Sequence, residues 1–291
     1  MIDIYPLQRR LEEWKDLVIE ETLQYAWDTM QHLLYAVGIY IFLCGLVYIA
    51  TVYLRNSSDC GQLRSVKRVL FVIAHPDDEC MFFGPIIITL AQRHDCQMFL
   101  LCLSNGDFRN EGKQRKSELW KSCKILGIPE DNITLCKCSH LPDSPTVEWR
   151  EDVVANLILN HIESLSIDTV ITFDKGGVSR HINHSSIFYA AAYLCMERKL
   201  PSYCRAYALE SICLVRKYSA ILDVPISYLL SSYWYIISLR ERDIILSAME
   251  AHASQFIWFR KLYMFFSRYT VMNTLKEIEL VDLELDLELD D

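Results

Sequence analysis

Apolar residues are distributed along this chain in two ways. From Leu33 to Leu54 (LLYAVGIYIFLCGLVYIATVYL) they run on without a charge, and a helix of that length covers roughly 30 Å of hydrocarbon. From Arg68 onward they come in short bursts separated by helical patterns. Val69–Ala74 reads as a buried strand followed by a helix over Met81–His94. Gln97–Leu103 is a second strand. The helix after it, Glu111–Leu126, is closed by Gly127 and Pro129, a usual stop. Strands at Ile133–Cys138 and Thr169–Phe173 and a strand region at Tyr203–Val215 alternate with helices at Val147–Ser164 and His184–Lys199. The pattern predicts an α/β fold: a Rossmann-like, mostly parallel sheet with helices on both faces, preceded by one N-terminal transmembrane helix.

The remaining stretches fill in the organisation. Residues 1–32 carry a helical apolar stripe (Leu7, Leu11, Trp14, Val18, rejoined by Tyr25) and are expected to form an amphipathic surface helix. The span is 33–54, a polar linker 55–67, the α/β domain 68–275. The acidic tail 276–291 ends in LVDLELDLELDD, whose charge density favours disorder. Ile221–Ser238, interrupted by Ser227, Ser231 and Ser232, reads as a buried or interfacial segment rather than a second span.

Charge orients the chain. Arg55, Arg64, Lys67 and Arg68 follow the span, whereas the 18 residues before it hold only Lys15, so the positive-inside rule places the α/β domain in the cytosol. Eleven cysteines without a C-x-x-C pair suit a reducing compartment. On that side the sequons at Asn56, Asn132 and Asn183 stay bare. A net charge of −9 without a basic run argues against nucleic acid as a partner.

The chemistry is concentrated at two strand ends. AHPDDE (74–79) places one imidazole and three carboxylates directly after the first strand, where neighbouring carboxylates repel unless a cation compensates. HINH (181–184) follows the fourth strand and Gly176-Gly177. H-x-x-H alone is weak; with His75 and Asp78 it becomes a zinc-like set, since catalytic zinc takes three protein ligands and keeps a position for water. His75, Asp78 and His184 supply two imidazoles and a carboxylate, Asp77 is placed to take a proton from water, and His181 to stabilise or protonate what forms.

At these residues the sequence resembles the PIG-L-like, or LmbE-like, zinc-dependent de-N-acetylases. The likeness runs over roughly residues 36–275 and is carried by AHPDDE, LSNGD (103–107) with RKSEL (115–119), LPDSPTVEW (141–149), TFDKGGVSRHINH (172–184) and SQFIWFRKLYMFFSRYTVMNTL (254–275). The last stretch points to the branch acting in GPI-anchor synthesis. The resemblance implies that His75, Asp78 and His184 bind zinc or another divalent cation, that Asp77 is the general base, and that His181 steadies the oxyanion and helps the amine leave. It further implies that Arg115 and Asp143 border the substrate. Arg180 stands where many relatives have glycine; beside His181 it is expected to depress that imidazole's pKa and to contact substrate phosphate. The implied activity is removal of the N-acetyl group from N-acetylglucosaminyl-phosphatidylinositol in the cytosolic leaflet, by a single-pass protein of the endoplasmic reticulum membrane.

Two other functions fit the same sequence: a de-N-acetylase of a different glycoconjugate, and a catalytically silent membrane adaptor that keeps the fold. Blander roles are expected for several residues. SNGD is turn chemistry, Arg115 and Glu118 can pair on a helix surface, and His94, His140, His161 and His252 are structural. The aromatic-rich stretch Phe256–Phe266 has two readings, a core helix or an interfacial one whose Arg260, Lys261 and Arg268 meet anionic headgroups; the core is preferred, with the basic residues near the membrane.

Overall fold

The computed structural model describes residues 5–54, 62–63, 66–109 and 111–279, so most of the expected linker and tail lies outside the described residues. The chain forms two compact units, Met1–Val47 and Tyr48–Asp291. Helix α1 (Tyr5–Leu54) is unbroken, so the boundary expected at residue 32 is a change of composition within one helix. Its apolar side chains, among them Leu33, Tyr35 and Phe42, are exposed, where a core helix would bury them. It is long and apolar enough to cross a membrane.

In the second unit, strand β1 (Arg68–Ile73) is buried from Val69 onward, as a parallel strand covered on both faces should be. Two helices follow it, α2 (Asp78–Met81) and α3 (Gly84–Ala91), instead of the single one expected over 81–94. Pro85 explains the break: it lacks an N–H and clashes with a preceding turn, so it fits only at the start of a new helix. The chain continues through β2 (Gln97–Cys102), α4 (Gly112–Leu126), β3 (Ile133–Leu135), α5 (Glu151–Leu165) and β4 (Thr169–Phe173). Gly127 closes α4 at φ 86°. After β4 come the short turn α6 (Gly177–Arg180), α7 (Ile182–Met196) and β5 (Arg205–Leu209). These five strands are parallel in the order β3-β2-β1-β4-β5. The direction of winding reverses between β1 and β4, which opens a crevice beyond their C-terminal ends.

The C-terminal third departs from the expected pattern. It contains α8 (Leu214–Lys217), α9 (Val224–Leu230), β6 (Tyr233–Ile236), α10 (Leu239–Ala251), α11 (Trp258–Phe266) and β7 (Met272–Glu277). Strand β7 runs antiparallel between β5 and β6 and completes a seven-stranded sheet among the described residues. Ile221–Ser238 is therefore a short helix and an edge strand, not one continuous segment. The α/β domain also does not stop at 275. Glu277 pairs with Tyr207, and the N–H of buried Ile278 donates to Ala206 O at 2.9 Å. The first residues of the expected tail belong to the sheet because the antiparallel register carries them onto β5.

Candidate active site

The turn after β1 is held by its own acids. Asp77 sits at φ 115°, ψ −20°, a region that short polar residues tolerate better than others. Its N–H donates to Glu79 Oε2 at 3.0 Å. Glu79 is fully buried and its Oε1 accepts from Ser122 Oγ (2.5 Å) and lies 2.6 Å from His252 Nε2. His252 is thus a structural residue beneath the turn. Asp78 folds back, and its Oδ2 accepts from the N–H groups of Ala74 (3.0 Å) and His75 (2.8 Å). Its other oxygen, Oδ1, is left 3.4 Å from His184 Nε2.

The turn after β4 brings the second set. His184 Nδ1 lies 3.0 Å from the carbonyl of Gly177, which sits at φ 54°. With the proton on Nδ1, the ring lone pair is on Nε2, a buried atom with no hydrogen-bond partner. The ring stacks flat on Phe173 at 3.9 Å. His181 Nδ1 is likewise buried and unpartnered. His75 Nε2 lies 3.1 Å from Asp143 Oδ1 and 3.1 Å from the side-chain amide of Asn183. With its oxygen turned to His75, that amide's NH2 reaches the carbonyls of Ser144 and Val147. His75 Nδ1 then faces Asp78 Oδ2 at 3.8 Å. Asn183 is fully buried here, so its sequon cannot accept a glycan in the folded chain.

His75, His181 and His184 can each place one nitrogen within 4.8 Å of the others, a group able to hold a metal ion. Glu79, Cys80 and His252 form a second such group, but both Glu79 oxygens are already occupied by Ser122, His252 and the Asp77 N–H. In the first group His181 Nδ1 and His184 Nε2 are unpartnered, and buried Asp78 Oδ1 lies 3.4 Å from His184 Nε2. That donor set fits a divalent cation.

The electrostatics agree with the fit. Burial alone would raise the pKa of Asp78, yet His184 and His75 outweigh it and hold the carboxyl below its usual range. Burial opposes charge on His75, but the hydrogen bond with Asp143 and the fields of Asp78 and Asp77 raise its pKa overall. His181 goes the other way, lowered to about 4, first by burial and then by His184 and His75. Sequence reasoning assigned that depression to Arg180. In the structure Arg180 is exposed at φ 57°, and its side chain does not line the cavity.

These residues form the floor of a cavity of about 520 Å³, with Asp77, Arg115 and Asp143 in its wall. Arg115 and Glu118 do not pair with each other. Glu118 accepts from the N–H (2.9 Å) and hydroxyl (2.6 Å) of Ser254. Arg115 donates to the carbonyls of Pro76 (2.6 Å) and Gly106 (3.1 Å), and its guanidinium lies 3.5 Å from both Asp77 and Asp143. SNGD therefore does more than turn the chain. Gly106 has φ 67°, and a Cβ there would collide with the guanidinium. Gly106→Ala is expected to displace Arg115 and lower kcat/KM by on the order of 100-fold, with a cooperative, if lowered, melting transition as the control for folding.

Sequence reasoning missed two cations at the site. Arg260, from α11, reaches over the cavity to pair with the Asp77 carboxylate through Nη1. Lys217 is buried and lines the cavity, donating to Ser179 Oγ (2.9 Å) and Val178 O (3.2 Å). A signal existed only for Arg260, an arginine set in an aromatic stretch.

Comparison with known proteins decides the family. The PIG-L family, described as GlcNAc-PI de-N-acetylase, matches residues 70–195. The N-acetylglucosaminyl-phosphatidylinositol de-N-acetylase of Bos taurus is 47% identical over 211 residues, covering 72% of this chain and 83% of that protein. The chain belongs to the PIG-L de-N-acetylase family. A probable member from Dictyostelium discoideum is 36% identical over 260 residues, covering 78% of this chain and 99% of its own length. The fold is shared more widely. N,N'-diacetylchitobiose deacetylase from Pyrococcus horikoshii superposes with a TM-score of 0.55 over 78% of this chain and 90% of its own, at 16% identity. The family is one of hydrolases acting on acetamides, and both strand-end motifs lie inside the matched region.

Proposed function

We propose that this protein removes the acetyl group from N-acetylglucosaminyl-phosphatidylinositol, giving glucosaminyl-phosphatidylinositol and acetate, a step of GPI-anchor synthesis. The observation that carries the reading is the cavity floor, where unpartnered His184 Nε2 and His181 Nδ1 converge with Asp78 Oδ1 beside Asp77. The substrate is taken from the bovine and Dictyostelium relatives, and the apolar length of α1 suits a lipid-linked one.

His75, Asp78 and His184 would hold a divalent cation, for which zinc suits two imidazoles and a carboxylate. When bound, such a cation supplies a nucleophilic water at neutral pH and polarises the amide carbonyl. Asp77, oriented by Arg115 and Arg260, takes the proton of the attacking water. His181 donates a hydrogen bond to the carbonyl oxygen as it gains charge, and the proton taken from water leaves on the amine. Asp143 fixes His75 through Nε2 and, with Arg115, lines the side of the cavity where the sugar enters. Arg180, exposed and outside the cavity lining, would meet the phosphate rather than the sugar.

The protein is proposed to reside in the endoplasmic reticulum membrane, with α1 as its single span and the sheet domain in the cytosol, following the basic residues after Leu54. Glycan on Asn132 in protein from cells would refute that orientation.

Full-length protein in detergent, given the lipid-linked substrate, is expected to release acetate detectable by mass spectrometry. A chelator should abolish release and added zinc restore it, and His184→Asn should lower the bound metal measured by elemental analysis. Absence of turnover in folded, metal-loaded protein would redirect the reading to another glycoconjugate. Absence of both turnover and metal would favour the silent adaptor.

A further inference from the structure

Helix α11 is built inside out. Most surface helices turn their apolar stripe to the core and their polar face to water. Here Tyr263 and Met264 face inward, while Trp258 (73% exposed), Leu262, Phe265 (65%) and Phe266 form the outward face. This overturns the expectation of a core helix. It also removes Arg268 from any membrane role, since Arg268 is fully buried beside Asp223.

Three observations say what covers this face. First, its composition is that of an interfacial helix: aromatic and leucine side chains flanked by an exposed lysine, Lys261. Second, the face is continuous with the mouth of the cavity. Ile257 and Phe259 are both exposed and line the cavity. Tyr218, just after α8, also lines the cavity, its ring 6.2 Å from that of Tyr263, and Val215 within α8 is 81% exposed. Third, the end of α11 is tied to the end of the apolar helix. Arg242 donates to the carbonyls of Met264 (2.6 Å) and Phe265 (2.7 Å), and a few residues before it Ile237 O accepts from Tyr48 OH (2.9 Å). An exposed apolar face of this extent marks a contact, and each of these features fits a lipid surface.

We propose that the outward face of α11 docks in the headgroup layer of the membrane and holds the cavity mouth against the leaflet that carries the substrate. The inference rests on the proposed function for the identity of that substrate only. A lipid-linked sugar can then enter the cavity without its acyl chains leaving the bilayer.

The test uses the full chain reconstituted in phosphatidylcholine–phosphatidylinositol vesicles, with and without brominated acyl chains. The chain has six tryptophans, so the emission of Trp258 is isolated as the difference between wild type and Trp258→Phe. Brominated lipid is expected to quench that difference by about half or more. A difference signal that brominated lipid leaves unchanged overturns the proposal; if it is also blue-shifted, protein such as a second copy of the chain covers the face instead. In parallel, Leu262→Glu with Phe266→Glu is expected to slow deacetylation of the vesicle-borne substrate on the order of tenfold, through KM. The water-soluble headgroup, N-acetylglucosaminyl-inositol phosphate, should be processed as before. Loss on neither substrate overturns the proposal, and if the variant misfolds and loses both, the quenching result decides. Wild type inactive on both substrates would sink the proposed function, while quenching would still decide the docking.

Discussion

Asp77→Asn is expected to lower kcat by about 10²–10⁴-fold, the range over which a positioned general base contributes, without unfolding the protein. The choice of asparagine follows from the backbone. At φ 115° most side chains would add strain, and asparagine shares with aspartate the tolerance for this region. The amide keeps the shape and can still accept a hydrogen bond from Arg260 or Arg115, but it cannot take a proton. Asp77 is not one of the three residues assigned to the cation, so bound metal should be unchanged. Single-turnover acetate release, measured beside metal content and a melting curve, separates the outcomes. Unchanged kcat would remove Asp77 from the role of base, and lost metal would make it a ligand. Asp77→Ala is less informative, because it removes the carboxylate and strains the turn together.

The largest loss of stability is expected from Arg268→Met. Arg268 and Asp223 are both buried, and their side chains meet at 2.7 Å. Asp223 also accepts from Arg216 Nε (2.6 Å) and Ser227 Oγ (2.5 Å), and Arg268 Nη2 donates to Thr274 Oγ1 (2.6 Å). Removing one partner from such a pair strands the other charge in a medium that cannot solvate it, at a cost of about 3–5 kcal/mol. Half-buried Arg216 keeps a claim on Asp223, which places the expected loss toward the lower end. For a domain of this size that corresponds to a fall in Tm of about 10 °C, measurable by thermal melting in detergent. Replacing both partners, Arg268→Met with Asp223→Leu, should recover part of the loss, since no fully buried charge is then stranded and half-buried Arg216 can turn to water. Equal melting of the single variant and wild type would show that the pair is not integral to the fold.

Much of this architecture was legible from residue order because parallel strands announce themselves. Val69–Ile73 is a continuous apolar run and Thr169–Phe173 a buried, mostly β-branched one, and each is followed by a functional motif. The fold then places both motifs at one crevice, so strand ends far apart in the chain could be paired on paper. The C-terminal third offered no such period. Strand β6 follows a short helix whose Ser227 looks like an interruption but is in fact bonded to Asp223 and Arg268. Lys217 reaches the cavity from the end of the one-turn helix α8, too short for any spacing to mark it. Helix α11 misled for a different reason. Hydrophobicity records that a side chain avoids water and not which apolar medium it enters, so a stripe meant for lipid reads like one meant for a core. His181 shows the same blindness to packing: its neighbour Arg180 seemed the natural cause of a depressed pKa, yet burial and two imidazoles act first.

The position of β7 has a consequence for how the chain comes to exist. It is the last strand among the described residues, yet it lies inside the sheet, hydrogen-bonded on one side to β5 and on the other to β6. Until Glu277 has cleared the ribosome, β6 has no partner in the sheet, and Arg268, at the entrance to β7, cannot reach Asp223. The apolar helix α1 emerges before the sheet and can be engaged early, whereas the sheet closes only once β7 has been made. A premature stop inside the last strand is therefore not a trimmed edge. It leaves β6 without a partner and the edge of β5 open, a chain for the quality-control machinery rather than a shortened enzyme.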